Sequence, residues 1–167
     1  MELNFSDRFN HFFDLLIAIE GGDCTDTGGR TRYGISKNAY PDVDIPNLTL
    51  EGAKEIYHTD FYTPMRCDEI TDDHFAFQFF CAAVNIGVGD AKKHIWNVLG
   101  LPLTSTIIGA ITLARLNEEL AKDRDGIYAR FLEGMVDHYF YLADTRPEIY
   151  GASLKGWIHR LCRAINL

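Results

Sequence analysis

The stretch TDDHFAFQFFCAAVNIG, Thr71 to Gly87, limits the fold more than any other part of the chain. Apolar residues fill nearly every position from Phe75 to Ile86, so a helix made of them has no side to offer to water. Such a helix belongs in the middle of a bundle. Thr71 or Asp72 can cap its start, and Gly87 supplies its stop. With 167 residues and 47% apolar side chains, the chain can bury most of one core around it.

Periodicity places the other helices. Ser6 can cap one that runs to about Glu20, with Phe9, Phe12, Phe13, Leu16 and Ile19 as its buried stripe. A second begins near Thr49, carries Ala53, Ile56, Tyr57 and Phe61 inward, and ends before Pro64. Shorter pieces are expected from Asp90 to Leu99 and from about Ile111 to Lys122. A long helix spans roughly Gly126 to Asp144, with Tyr128, Phe131, Met135, Tyr139 and Leu142 on its inner face, and GWIHRLCRAI closes the chain as another.

A different pattern occupies LLIAIEGGDCTDTGGRTRYGIS, Leu15 to Ser36. Gly21 and Gly22 stop the first helix. From Asp23 to about Asp44, polar residues, glycines and Thr/Tyr/Ile favour short strands around a turn at DTGGR. The expected class is therefore α+β, mostly α: a helical bundle with a small N-terminal β-hairpin element.

Glu20 follows Phe13, Leu16 and Ile17 at helical spacing, beside the apolar face of its helix. At a helix C-terminus the partial negative charge of the last carbonyls opposes ionisation, and an apolar setting acts in the same direction. A carboxyl kept protonated near neutral pH can act as a general acid. Asp26 and Thr31, with Asp23 in reserve, lie on the segment that can fold back opposite it. Breaking a sugar–sugar bond requires such a pair of functions, one group protonating the leaving oxygen and another activating water or stabilising positive charge. On spacing alone the plainer readings stay open: Glu20 can lean into water, Asp26 is a common turn former, and Thr31 can be an ordinary strand residue.

Several other chemistries are disfavoured. A net charge of −8 with no run of lysine or arginine argues against nucleic acid as a partner. Cys24, Cys67, Cys81 and Cys162 form no CxxC pair and are expected as reduced thiols, and the six histidines include no HExxH, so no metal or organic cofactor is expected. DTGG leads to no GK[ST] or GxGxxG, no second DTG copy accompanies it as an aspartic protease would need, and no GxSxG exists for a serine hydrolase. Asp14 interrupts the N-terminal apolar stretch well short of a membrane span, and no basic leader precedes it, so no stable membrane insertion is expected.

Five blocks in order carry a family resemblance: EGG from Glu20, DTGGRTRYGIS from Asp26, LTLEGAKEIYHTDFY from Leu48, FCAAVNIGVGDAKKHIWNVLG from Phe80, and GW at Gly156. Together they resemble the glycoside hydrolase 108 family of N-acetylmuramidases, found among phage endolysins and bacterial secretion muramidases. The resemblance implies a lysozyme-like fold, with Glu20 as catalytic acid and Asp26 and Thr31 completing a Glu/Asp/Thr set. It also implies a catalytic lobe over residues 1–74 and a helical lobe over 75–167 similar to a peptidoglycan-binding region, packed as one compact unit. The sequence departs from the family in the loop after EGG, where Asp23 stands in place of the usual tyrosine, Asp26 comes only six residues after Glu20, and Thr27 replaces a proline. In the YW block the aromatic is Tyr62 rather than tryptophan.

The expected activity is hydrolysis of peptidoglycan, with Tyr33, Tyr62 and Asn85 as sugar contacts. Aromatic faces suit the C–H faces of sugars, and an asparagine can bond an acetamido group; Asn85 can equally be a polar cap before Gly87. A monomer is expected, made in the cytoplasm and acting on the periplasmic cell wall after release by a separate pore or secretion route. A wall-binding module without catalysis and a lytic transglycosylase are the alternatives.

Overall fold

Ser6 opens the first helix, α1 (Asp7–Glu20), its hydroxyl accepting from the Phe9 amide at 3.1 Å. The computed structural model describes residues 4–20, 24–26, 29–102 and 107–166, with the backbone alone described at 20, 24–26, 29 and 30. The expected helix stop at Gly21 and Gly22 and the reserve carboxylate Asp23 lie outside the described residues. Two compact units make up the chain, residues 1–62 and 63–167.

In the first unit, Phe9, Phe12, Phe13, Leu16 and Ile19 of α1 are all buried, as their spacing predicts. Three short strands follow, β1 (Cys24–Asp26), β2 (Gly29–Arg32) and β3 (Ile35–Ser36), in an antiparallel sheet of order β1-β2-β3. The third strand extends the expected hairpin by one ribbon. Its turn, Tyr33 and Gly34, has φ 51 and φ 78, the positive values a tight two-residue hairpin turn of this hand requires.

Helix α2 (Leu50–Tyr57) starts where Thr49 accepts from the Gly52 amide at 3.1 Å. It runs directly into a π-helical turn, His58–Tyr62. Continued α-helical spacing from Tyr57 would bring Phe61 inward, but the wider turn advances the phase by one residue and buries Tyr62 to 1% exposure. There the Tyr62 ring meets Phe9 at 5.0 Å and stacks on His58 at 5.6 Å.

Among its described residues the second unit has helices and connecting turns and no strand. Its centre is α3 (Asp73–Ile86), in which every residue from Phe75 to Ala83 is buried. Around it run α4 (Val88–Val98), α5 (Ala110–Lys122), the long α6 (Arg124–Thr145), the single turn α7 (Pro147–Tyr150) and α8 (Leu154–Ile165). Gly87, with φ 83, ends α3 and begins α4 at once, so α4 starts two residues before the expected Asp90. Phe131 of α6 packs on Phe75 and Phe79 of α3 with ring centroids 5.2 and 6.1 Å apart, and Trp157 of α8 stacks on Tyr139 at 5.2 Å. Each such ring brings about 1.5–3 kcal/mol from its burial. Asp72 is the cap of α3, accepting from the Phe75 amide at 2.7 Å. Cys67, Cys81 and Cys162 are free thiols. No helix among the described residues is long and apolar enough to cross a membrane. The layout is the mostly α, α+β arrangement that the sequence predicts.

Candidate active site

The candidate site lies in the first unit, where α1 gives way to the sheet. Glu20 is the last residue of α1, and β1 begins four residues later at Cys24. Cys24 is opposite Thr31, Thr25 opposite Arg30, and Asp26 opposite Gly29. Directly opposed residues share a face and alternate residues along a strand return to it, so positions 24, 26, 29 and 31 lie on one face of the ribbon. Folding thus brings the Asp26 and Thr31 positions, five apart in sequence, onto one small surface. Gly29, facing Asp26, adds no side chain there.

Thr31 is half-buried and paired on both sides, with Cys24 across one ladder and Ser36 across the other. A residue in the middle strand of a sheet has its height and direction set twice. Arg32 follows it and donates from Nη1 to the Pro46 carbonyl at 2.6 Å, tying the sheet to the 3₁₀ turn Ile45–Asn47. The same guanidinium lies 5.3 Å from the centre of the Tyr33 ring, a cation–π contact. Tyr33 is half-buried, and its carbonyl accepts from the Tyr57 hydroxyl at 3.1 Å.

A second tie joins the loop after β3 to the π turn: Tyr40 donates from its hydroxyl to Asp60 Oδ2 at 2.9 Å. Burial, then the hydrogen bond to Asp60, then the charge of Asp60 push the Tyr40 phenol well above its usual range, so it remains a donor at any physiological pH.

The other two expected sugar contacts have different surroundings. Tyr62 is a core ring of the first unit. Asn85 belongs to the second unit, in the last turn of α3, where its Nδ2 donates to the Cys81 carbonyl at 2.9 Å and its Oδ1 accepts from Arg160 Nε at 3.0 Å. Both ends of that amide are engaged within the unit. Arg32, Tyr40 and Tyr57 were not singled out for the site by sequence reasoning. The one available signal was a tyrosine at Tyr57 where packing alone would accept phenylalanine, since a buried phenol needs an acceptor.

A carboxyl residue at a helix end followed by an Asp/Thr ribbon is an arrangement suited to glycoside hydrolysis. The sequence profile of the family Glycosyl hydrolase 108 matches residues 13–87, from the middle of α1 through the sheet to the end of α3. Over this segment, somewhat less than half of its length, the chain is similar to that family of glycoside hydrolases. Among solved structures, one described as the structure of Brucella abortus SagA superposes with a TM-score of 0.66 at 21% identity, covering 93% of this chain and 95% of that one. At this identity the likeness speaks for the fold. No curated protein sequence matches the chain.

Proposed function

We propose that the chain is an N-acetylmuramidase that hydrolyses the β-1,4 bond between N-acetylmuramic acid and N-acetylglucosamine in peptidoglycan. Glu20 protonates the glycosidic oxygen as the bond to C1 of the muramic acid breaks. Asp26 and Thr31 hold the attacking water and stabilise the positive charge developing on the ring. With room for a water between the carboxyls, the anomeric configuration inverts. Tyr33 offers an aromatic face for a neighbouring sugar, two residues from Thr31. In the cell the protein serves as a phage lysis enzyme, made in the host cytoplasm, that reaches the wall through a separate pore.

The observation that carries this reading is the coincidence of the glycosyl hydrolase match with the segment holding Glu20, Asp26 and Thr31. At the end of α1, the backbone dipole disfavours a charged carboxylate, which suits an acid that must keep its proton. Support for the water-holding pair is the shared face of the Asp26 and Thr31 positions.

Digestion of purified peptidoglycan followed by mass spectrometry tests it. Products with reducible N-acetylmuramic ends are expected. Anhydro-muramic ends would make the protein a lytic transglycosylase, and intact wall with bound protein would make it a binding module; either result overturns the proposal.

A further inference from the structure

Tyr57 closes α2 with 1% exposure, its ring held edge-on by Phe13 at 5.6 Å and against Phe61 at 5.7 Å. Those contacts use only the ring carbons and would accept phenylalanine equally well. The hydroxyl is a separate feature, and it donates to the Tyr33 carbonyl at 3.1 Å. Tyr33 is the first residue of the β2–β3 turn, held at φ 51, where a residue with a side chain is uncommon. Gly34 follows at φ 78, and a Cβ there would fall 2.4 Å from the Tyr57 hydroxyl oxygen, so the phenol sits directly against the turn backbone. The turn is thereby fixed from below by a helix rather than by its own ladder alone.

Two residues before that turn stands Thr31, locked in register with Cys24 and Ser36. A displacement of the turn therefore passes along β2 to Thr31 and, through the ladder, to β1 and Asp26. Catalytic geometry tolerates little such movement, since groups must be placed to within a fraction of an ångström. We propose that Tyr57 is a positioning residue for the hydrolysis: through the Tyr33 carbonyl its hydroxyl sets the position of Thr31. This inference rests on the glycosidase reading above.

The test is a kinetic cycle on solubilised peptidoglycan strands, reading new reducing ends, with wild type, Tyr57→Phe, Thr31→Ala, the double variant and Glu20→Gln, and with thermal melting of each. Loss of one hydrogen bond corresponds to about a fivefold fall in kcat for Tyr57→Phe, with KM changed less than about twofold and melting well above the assay temperature. In the Thr31→Ala background the same change should cost less than about twofold, because the group being positioned is gone. Wild-type kcat in Tyr57→Phe, or an undiminished loss in the Thr31→Ala background, overturns the positioning role. If Tyr57→Phe melts near the assay temperature, the whole cycle is read at a lower temperature at which every variant is folded, with the same expectation. Absence of new reducing ends with wild type sinks the glycosidase reading and this inference with it; loss in Glu20→Gln with no effect in Tyr57→Phe sinks the positioning role alone.

Discussion

The imidazole rings of His94 and His138 meet nearly edge to face between α4 and α6, their centroids 5.5 Å apart. His94 is 7% exposed, and neither its Nδ1 nor His138 Nε2 has a hydrogen-bond partner among the described residues. Gly134 makes this closeness possible, since a Cβ there would come 2.9 Å from His94 Nδ1. Burial first, then the neighbouring His138, hold His94 down to about 4, with Asp90 pulling the other way and Lys93 adding a little repulsion. His138 is lowered too, chiefly by burial.

The second unit should therefore lose stability in mild acid. An unfolded histidine takes its proton near 6.5, whereas the folded His94 waits until about 4. Between those values the unfolded chain binds more protons, so stability is full above pH 6.5 and declines as pH falls toward 4, by up to about 3 kcal/mol. Urea unfolding followed across this range should show that slope, and His94→Gln should flatten it whatever its effect on stability at pH 7.

Asp72 governs a lower window. It caps α3 through the Phe75 amide and also accepts from Tyr128 Oη at 3.0 Å and Arg124 Nε at 2.6 Å. Burial works against its charge, but the hydrogen bonds from Arg124, Phe75 and Tyr128 outweigh it and hold the carboxyl below its usual value. Its contribution is present above about pH 4 and disappears as pH falls further. Asp72→Ala should cost about 2 kcal/mol at pH 7, because a helix cap is lost and the Tyr128 hydroxyl loses its acceptor. An unfolding midpoint unchanged in Asp72→Ala would show that the network contributes nothing.

Gly34 and Tyr57 should compensate for one another. A methyl at Gly34 meets the Tyr57 hydroxyl oxygen at 2.4 Å but the ring carbon behind it only at 3.7 Å, an ordinary contact. Gly34→Ala should lower stability by about 2 kcal/mol or more from collision and positive φ together. Adding Tyr57→Phe removes the collision and leaves the φ cost, so the double variant should be more stable than the sum of the two single losses predicts. Strict additivity in thermal melts would mean that the two groups do not touch.

Much of this fold was legible in the chain. The stripes of α1, α3 and α6 were plain because large apolar side chains recur at helical spacing, and the caps Ser6 and Asp72 were marked by short polar side chains just ahead of them. The burial of Tyr62 in place of Phe61 was not, because a π turn depends on how Phe9 and His58 pack around it and leaves no local signature. Strand β3 is two residues long, too short for any period to show. In the candidate site, Glu20 and the Asp26/Thr31 ribbon could be anticipated from a helix stop and a glycine turn. The supports could not: Arg32 to Pro46 and Tyr57 to Tyr33 join residues 14 and 24 apart through main-chain carbonyls, which look alike in every sequence.

On the proposed function, the carboxyl of Glu20 delivers the proton that breaks the wall polymer. Release of reducing ends from purified peptidoglycan by Glu20→Gln, measured beside wild type at equal folded concentration, decides this. The isosteric amide cannot donate that proton, so the rate should fall by about a hundredfold or more while binding to the wall persists. A Glu20→Gln variant that still cuts at the wild-type rate would rule out Glu20 as the acid.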